Sequence, residues 1–267
     1  MKRRDVAISD AELDGMTGEL RQAHNDTRPQ FLAAIDDLAG VLREQADRVR
    51  SGEHLASTRR NFLRGGLVTA GALGGGLMVA ACGSSSDSST ASGAGATTGG
   101  ESTDLVVARL AASLEVLAVA TYGTALTAAG TGAFGTVPPA FANFAQTAQM
   151  QHRDHQNAWN SALTAAGLQA QTAPDPKYKA VVDQAVPGLK TIADVASLAL
   201  TLETVAVETY VKGAQLVTAK SSRQIALTIA PVEAQHVAVL NYVLGKYPVP
   251  DTQIGTDMAA SPSDLGS

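Results

Sequence analysis

Six side chains of the types that bind metal ions lie at helical spacings in the second half of the chain. Glu115 and Glu203 stand in the middle of apolar helical stripes. The segments 152–155 (His-Arg-Asp-His) and 233–236 (Glu-Ala-Gln-His) each place two polar side chains on one helix face. A buried carboxylate without a partner is costly, so it should be protonated, paired or bound to metal. The spacing predicts that six side chains lie buried together, where they are protonated, paired with one another or bound to metal: Glu115, His152, His155, Glu203, Glu233 and His236.

The two central glutamates occupy equivalent positions of an internal repeat. Residues 113–122 (SLEVLAVATY) match residues 201–210 (TLETVAVETY) at an offset of 88. Each repeat ends in a tyrosine, Tyr122 or Tyr210, seven residues after its glutamate. We predict that these hydroxyls orient the two glutamates, with ordinary core packing as the alternative.

The second helix offers two candidate pairs, and its apolar stripe decides between them. The stripe begins at Phe141 and continues through His152 and His155, whereas Gln149 lies on a polar face. His152 and His155 should therefore point inward and Gln149 outward. Three further residues are predicted to lie outside the site. Asp154 and Glu208 should be exposed to solvent, and Trp159 should pack in the core.

Four long helices must position these residues. Caps, prolines and glycines place them at about 104–129, 138–166, 189–218 and 221–244, with Asp104 capping the first. No segment shows the alternation of a strand. A short turn joins the last two helices, and a connection of roughly 20 residues joins the second to the third. The predicted fold class is therefore all-α, an antiparallel four-helix bundle with one long crossover between helices two and three.

The composition excludes several classes of protein. Of the 267 residues, 45% are hydrophobic, which excludes wholesale disorder. The single cysteine excludes a disulfide framework and multi-cysteine metal sites. The formal net charge of −5 argues against a nucleic-acid partner.

Residues 57–82 resemble an export signal. Arg59 and Arg60 precede Asn-Phe-Leu-Arg, as in the twin-arginine signal, and a glycine-rich apolar run follows. It ends at Val-Ala-Ala-Cys82, which resembles a lipobox where the cysteine is acylated. Residues 83–103 have the composition of a flexible tether. An uncleaved membrane span is the alternative interpretation.

The two ends of the chain lie outside the predicted bundle domain, which spans 104–247. Residues 1–56 contain one amphipathic helix. They are either a cytoplasmic extension removed with the signal or the product of a misassigned start. The tail 248–267 is predicted to be disordered.

The motifs together resemble the ferritin-like superfamily, in particular bacterial proteins of the desiccation-related type. The resemblance implies a glutamate on helices one and three, and Glu-x-x-His on helices two and four. Glu115, Glu203, Glu233, His155 and His236 match that pattern, and His152 stands where a glutamate is expected. The resemblance implies iron, as a pair of ions. The additional imidazole of His152 leaves three alternatives to a pair of iron ions: zinc or copper in place of iron, a single ion, or no metal.

Two functions follow from this resemblance and remain open. One is a metal-binding protein that reacts with oxygen, peroxide or iron. The other is a structural or stress-related envelope lipoprotein whose degenerate core binds no metal. For both functions the predicted partners are the twin-arginine export machinery and, through a lipid on Cys82, the membrane. The predicted location is the outer face of the cell membrane or the cell envelope. A homodimer is compatible with either, and the sequence does not decide whether the protein is an enzyme.

Overall fold

Six α-helices make up the part of the chain that the structure describes. In this computed structural model those residues are 9–51, 102–251 and 253–265. Among them no strand occurs, which confirms the predicted all-α class. Two short 3-10 helices, Val186–Gly188 and Pro262–Leu265, accompany the α-helices. The α-helices are α1 (Asp10–Arg50), α2 (Thr103–Gly130), α3 (Pro139–Ala165), α4 (Pro176–Ala185), α5 (Ile192–Leu216) and α6 (Lys220–Val243).

Local hydrogen bonds explain where the helices begin. Thr191 and Asp194 form a capping box at the start of α5. Ser102 caps α2, where the sequence had favoured Asp104. Asp104 is instead buried, and its carboxylate accepts the backbone N–H of Ala219 at 3.0 Å. Asp104 thereby accepts a backbone hydrogen bond at the N-terminus of α6, where the capping residue has no side-chain hydrogen bond.

Helices α2, α3, α5 and α6 form the four-helix bundle. Hydrogen-bonded pairs show that α2 runs antiparallel to both α3 and α5. Helices α3 and α5 therefore point the same way, and the connection that contains α4 must cross the length of the bundle between them. The pairs are Glu115–His152 and Val119–Gln149 for α2 with α3, and Glu115–Tyr210 and Tyr122–Glu203 for α2 with α5.

The N-terminal helix α1 packs on this bundle as a fifth long helix, against α3 and α6. Asp14 contacts Asn143 near the start of both helices, and Arg43 contacts Ala165 near the end of both. Helices α1 and α3 are therefore parallel. The apolar stripe of α1 is part of the core, and Leu38 and Leu42 are 0% exposed. Residues 10–50, which the sequence analysis separates from the bundle domain, thus contribute to its core.

The C-terminal segment 253–265 is held against the bundle, in contrast to the predicted disordered tail. The backbone N–H of Met258 donates to the Glu208 carboxylate at 2.6 Å, and that of Ala260 donates to Thr209 Oγ1 at 2.8 Å. Ala260 is buried in a small apolar cluster beside α4. Glu208, which the sequence assigned to solvent, thus fixes the tail in place.

One described helix, α2, is long and apolar enough to cross a membrane by length and composition alone. In the structure most of its apolar window is buried within the bundle, and it carries the buried Glu115. These features are those of a core helix. The predicted signal residues Arg59, Arg60 and Cys82 lie outside the described residues.

Candidate metal centre

The six predicted donors meet in the middle of the four-helix bundle. Helices α2 and α5 each supply one glutamate, α3 supplies two histidines, and α6 supplies a glutamate and a histidine. Each of these residues is at most 2% exposed. The side chains are Glu115, His152, His155, Glu203, Glu233 and His236.

Their donor atoms form two overlapping groups. Within each group one ligand atom from every residue lies within 4.8 Å of all the others. His152 and Glu233 belong to both groups. The remaining members are Glu115 and His155 in the first group, and Glu203 and His236 in the second. Each group could therefore hold a metal ion.

Glu233 has the position of a bridging ligand between the two groups. Its Oε1 lies 3.1 Å from His155 Nδ1, and its Oε2 lies 3.2 Å from His236 Nδ1. The two oxygens of one carboxylate thus face the imidazoles of opposite groups. Carboxylates in bundle centres of this type project inward in the same way.

The donor set fits a metal because it leaves buried polar atoms without a hydrogen bond. His155 Nδ1 and Glu233 Oε1 are both buried and lie 3.1 Å apart, but neither makes a hydrogen bond of acceptable geometry in the described part of the chain. Unsatisfied buried polar atoms are rare and costly. An ion coordinated by both atoms would satisfy them.

Charges within the site shift its pKa values strongly. Burial alone would raise the pKa of Glu115, but the charge of His155 and the hydrogen bond from His152 lower it to about 2. Burial would lower the pKa of His155, yet the carboxylates of Glu115 and Glu233 raise it to about 9. The pKa of His152 is also raised, because the charges of Glu233 and Glu203 outweigh its burial. Metal binding must therefore displace protons from these imidazoles.

His152 changes what the site can do relative to a carboxylate at the same position. Its Nδ1 lies 2.8 Å from Glu115 Oε2, and its Nε2 lies 3.1 Å from Glu203 Oε1. The two nitrogens flank one ring carbon and their lone pairs diverge, whereas the two oxygens of a carboxylate can direct lone pairs toward neighbouring positions. Among the described donors Glu233 is the one carboxylate that belongs to both groups, and the six donors carry three negative charges when the imidazoles are neutral.

Two tyrosines hold the glutamates from outside the donor set. The hydroxyl of Tyr122 donates to Glu203 Oε1 at 2.5 Å, and that of Tyr210 donates to Glu115 Oε1. Trp159 Nε1 donates to the Tyr210 hydroxyl at 2.9 Å. Both tyrosines therefore hold a carboxylate of the cluster, and Trp159 has a polar contact in addition to its core packing.

Gln151 is a functional candidate that the sequence analysis missed. It is 0% exposed, its Oε1 lies 2.7 Å from His236 Nε2, and its Nε2 donates to the backbone oxygen of Leu20 on α1. An acceptor at His236 Nε2 favours the tautomer that leaves Nδ1 free for a metal. The available signal was the position of Gln151 seven residues after Phe144, on the apolar stripe of α3.

Helix α1 closes the side of the site next to His155. The rings of His24 and Phe31 each lie 6.0 Å from the His155 ring. His24 Nε2 in turn lies 3.0 Å from Asp154, so Asp154 is paired with α1 and not simply solvated as predicted. Gln149 points away from the donors and donates to the backbone oxygen of Val119 at 3.0 Å. This is the predicted orientation of α3.

Fold and site together define a ferritin-like bundle with a buried Glu/His cluster. The family model described as "Ferritin-like domain" matches residues 103–246, which is more than half of the chain. The chain belongs to this family. No curated protein and no solved structure matches the chain.

Proposed function

We propose that the bundle binds a pair of metal ions, with iron as the first candidate, in the cluster of six donors. The observation that carries this proposal is the sharing of His152 and Glu233 between two donor groups. The two oxygens of Glu233 face the imidazoles of opposite groups, so this carboxylate would help to hold an ion bound by either group. The family membership supports the same conclusion.

The surrounding residues would prepare the site for redox chemistry. Bound iron would supply electron transfer to oxygen or peroxide. Tyr122 and Tyr210 hold Glu203 and Glu115 in place, and Gln151 holds the His236 ring. The burial of all six donors excludes bulk water, which strengthens every charge interaction inside the site.

The choice of metal follows from the donor types. Imidazole suits zinc, copper and iron, whereas all-oxygen sites suit manganese and magnesium. Three imidazoles with three carboxylates therefore favour iron, zinc or copper. A stoichiometry of one ion would indicate that replacing a carboxylate by His152 has removed one of the two positions.

Elemental analysis of the full-length chain tests this proposal. The protein is produced with iron, zinc, copper and manganese available, and compared with the double variant Glu115→Gln/Glu203→Gln. Glu19→Gln, on the exposed face of α1, is the matched control. We expect two ions per chain in the wild type and the control, and loss of both in the double variant. A folded wild-type protein without metal would overturn the proposal.

A second candidate function is that of a structural bundle without a metal, of the desiccation-related type, with a role in stress. The observation in its favour is that the donors also satisfy one another's charge. His152 lies within hydrogen-bond distance of both Glu115 and Glu203, and its pKa is raised by the nearby carboxylates despite burial. Such a network contributes to a unique packing of the core. The same elemental analysis separates the two candidates.

We further propose that the chain is exported by the twin-arginine route and anchored through Cys82. The supporting feature is the motif in residues 57–82. Cys82→Ala should release the protein from membranes, and replacing Arg59 and Arg60 by lysine should stop export. Retention of Cys82→Ala in the membrane would indicate an uncleaved span.

The packing of α1 gives this export proposal a further test. Cleavage before Cys82 would separate α1 from the bundle, although α1 buries Leu38 and Leu42 in the core. Either α1 then stays bound without a covalent link, or a large apolar face becomes exposed. The intact mass of the exported form, together with co-purification of the fragment before Cys82, distinguishes these two states.

A further inference from the structure

A cavity of about 200 Å³ lies between α2 and α5. These two helices are in less extensive contact with each other than α2 is with α3 or α5 is with α6. The crossover lies over the gap and contributes Tyr178, Val182, Val186 and Leu189 to its wall. The cavity is therefore lined by α2, α5 and the crossover, and it is partly open to solvent.

The cavity reaches the donor cluster. Glu115, His152 and Glu203 form part of its wall, together with Tyr122. These three donors come from both of the groups described above. A molecule in the cavity would thus lie directly beside the proposed ions.

The remaining wall is almost entirely hydrocarbon. Several polar side chains that line it are engaged elsewhere: Thr121 donates to the backbone oxygen of Leu117, and the Tyr178 hydroxyl donates to that of Met258. A charged ligand would lose its hydration here without regaining hydrogen bonds. Apolar side chains dominate the lining, among them Leu114, Leu117, Ala118, Ala199, Leu202 and Ala206.

The volume limits the size of the occupant. An engineered cavity of about 150 Å³ with aliphatic and aromatic walls binds benzene. A cavity of about 200 Å³ is slightly larger and accommodates one substituted ring or a short hydrocarbon chain. The position of α4 over the cavity is fixed by the C-terminal segment, since Tyr178 and Glu208 both bond to Met258.

We propose that this cavity binds a small neutral apolar molecule, with a single aromatic ring or a short hydrocarbon chain, against the cluster of Glu115, His152 and Glu203. The assignment of this ligand as the substrate class of the site rests on the proposed metal centre. Binding itself depends only on the shape and the apolar walls of the cavity.

The test measures binding of 4-fluorotoluene to the full-length protein by fluorine NMR, with and without manganese or iron in the site. Ala118→Phe fills the cavity from α2, and Ala120→Phe places the same ring on the exposed face of that helix as a control. We expect at least tenfold weaker binding in Ala118→Phe and no change in Ala120→Phe. The fluorine signal should broaden when a paramagnetic ion is bound, because the probe lies next to the donors.

A second variant keeps the test informative if Ala118→Phe does not fold. Leu202→Ala enlarges the cavity and should strengthen binding of the larger probe 1-fluoronaphthalene severalfold. Equal affinity of the wild type and both variants would overturn the inference, and so would binding without broadening in metal-loaded protein. Affinity that falls as protein concentration rises would also overturn it, because a second copy of the chain would then cover the opening.

Metal content is measured on the same samples. If the wild type binds metal and no probe, the cavity proposal fails while the metal centre stands. If the probe binds and Ala118→Phe abolishes binding, but no metal is taken up, the metal centre fails while the apolar site stands.

Discussion

The hydroxyl of Tyr122 on α2 donates to the carboxylate of Glu203 on α5 at 2.5 Å. The repeat reproduces this relationship in reverse, since Tyr210 on α5 donates to Glu115 on α2. Each glutamate is thus held by the tyrosine of the other repeat. The two antiparallel helices are thereby joined at the site by reciprocal hydrogen bonds, and one oxygen of each carboxylate is positioned before any ion arrives.

Replacing Tyr122 by phenylalanine should weaken metal binding without removing a ligand. Glu203 would lose its donor, and loss of a group that orients a ligand typically lowers affinity by about 10–100-fold. Competition with a chelator of known affinity measures the change. Tyr247→Phe, at a tyrosine that is 75% exposed, should leave the affinity unchanged. Equal affinities in both variants would show that the Tyr122 hydroxyl has no role in positioning.

His152→Glu should alter the site in two opposite ways. A fourth carboxylate raises the ligand charge to match the family pattern, so affinity for two divalent ions should rise. The metal-free protein should become less stable, because Glu115 and Glu203 would each face a second carboxylate where they now face an imidazole. Metal stoichiometry and urea unfolding of the metal-free form measure the two effects. A variant that is more stable without metal would contradict this account.

The charge network should give the metal-free protein a defined pH dependence. The lowered pKa of Glu115, about 2 against 4.5, contributes stability above 4.5 that is lost as the pH falls through about 2. The raised pKa of His155, about 9 against 6.5, contributes stability below 6.5 that is lost as the pH rises through about 9. These two groups therefore stabilise the fold most between 4.5 and 6.5.

Metal affinity should follow the opposite trend on the alkaline side. The ion competes with the proton on His155, so affinity rises with pH until the imidazole is neutral, at about 9. Urea unfolding of the metal-free protein and chelator competition, both over the same pH series, measure the two trends. An affinity that is independent of pH in this range would show that His155 is not a ligand.

The donor cluster could be predicted from sequence because it depends on helical periodicity. Glu115 and Glu203 interrupt apolar stripes at equivalent repeat positions, and the stripe from Phe141 directs His152 and His155 inward. The crossover could be predicted in the same way, from the length of the connection between two helices. These features are local, and a single chain carries all the information needed.

The remaining features depend on contacts between distant segments. The sequence shows Gln151 only as a glutamine on an apolar stripe, and its role depends on the hydrogen bond to the backbone oxygen of Leu20 on α1. In the same way, the role of the half-exposed Glu208 carboxylate depends on the hydrogen bond from the backbone N–H of Met258. Residues 52–101, with a composition unlike a folded core, separate α1 from the bundle in the sequence. The pattern therefore revealed the helix itself but not the surface against which it packs.

The integral role of α1 leads to a prediction about stability. Leu38 and Leu42 are both 0% exposed, in the same apolar cluster as Trp159 of α3 and Ile225 of α6. Leu38→Ala and Leu42→Ala should each lower the free energy of unfolding by about 2–5 kcal/mol, because each leaves a cavity in the core. Leu32→Ala, on the same helix but 45% exposed, should change it by about 0.5 kcal/mol or less. Urea unfolding of the full-length chain gives the three values. Equal, small effects at all three positions would mean that α1 does not pack on the bundle in solution. In that case the His155 side of the site would be open, and the contacts of Leu20 with Gln151 and of Phe31 with His155 would not form.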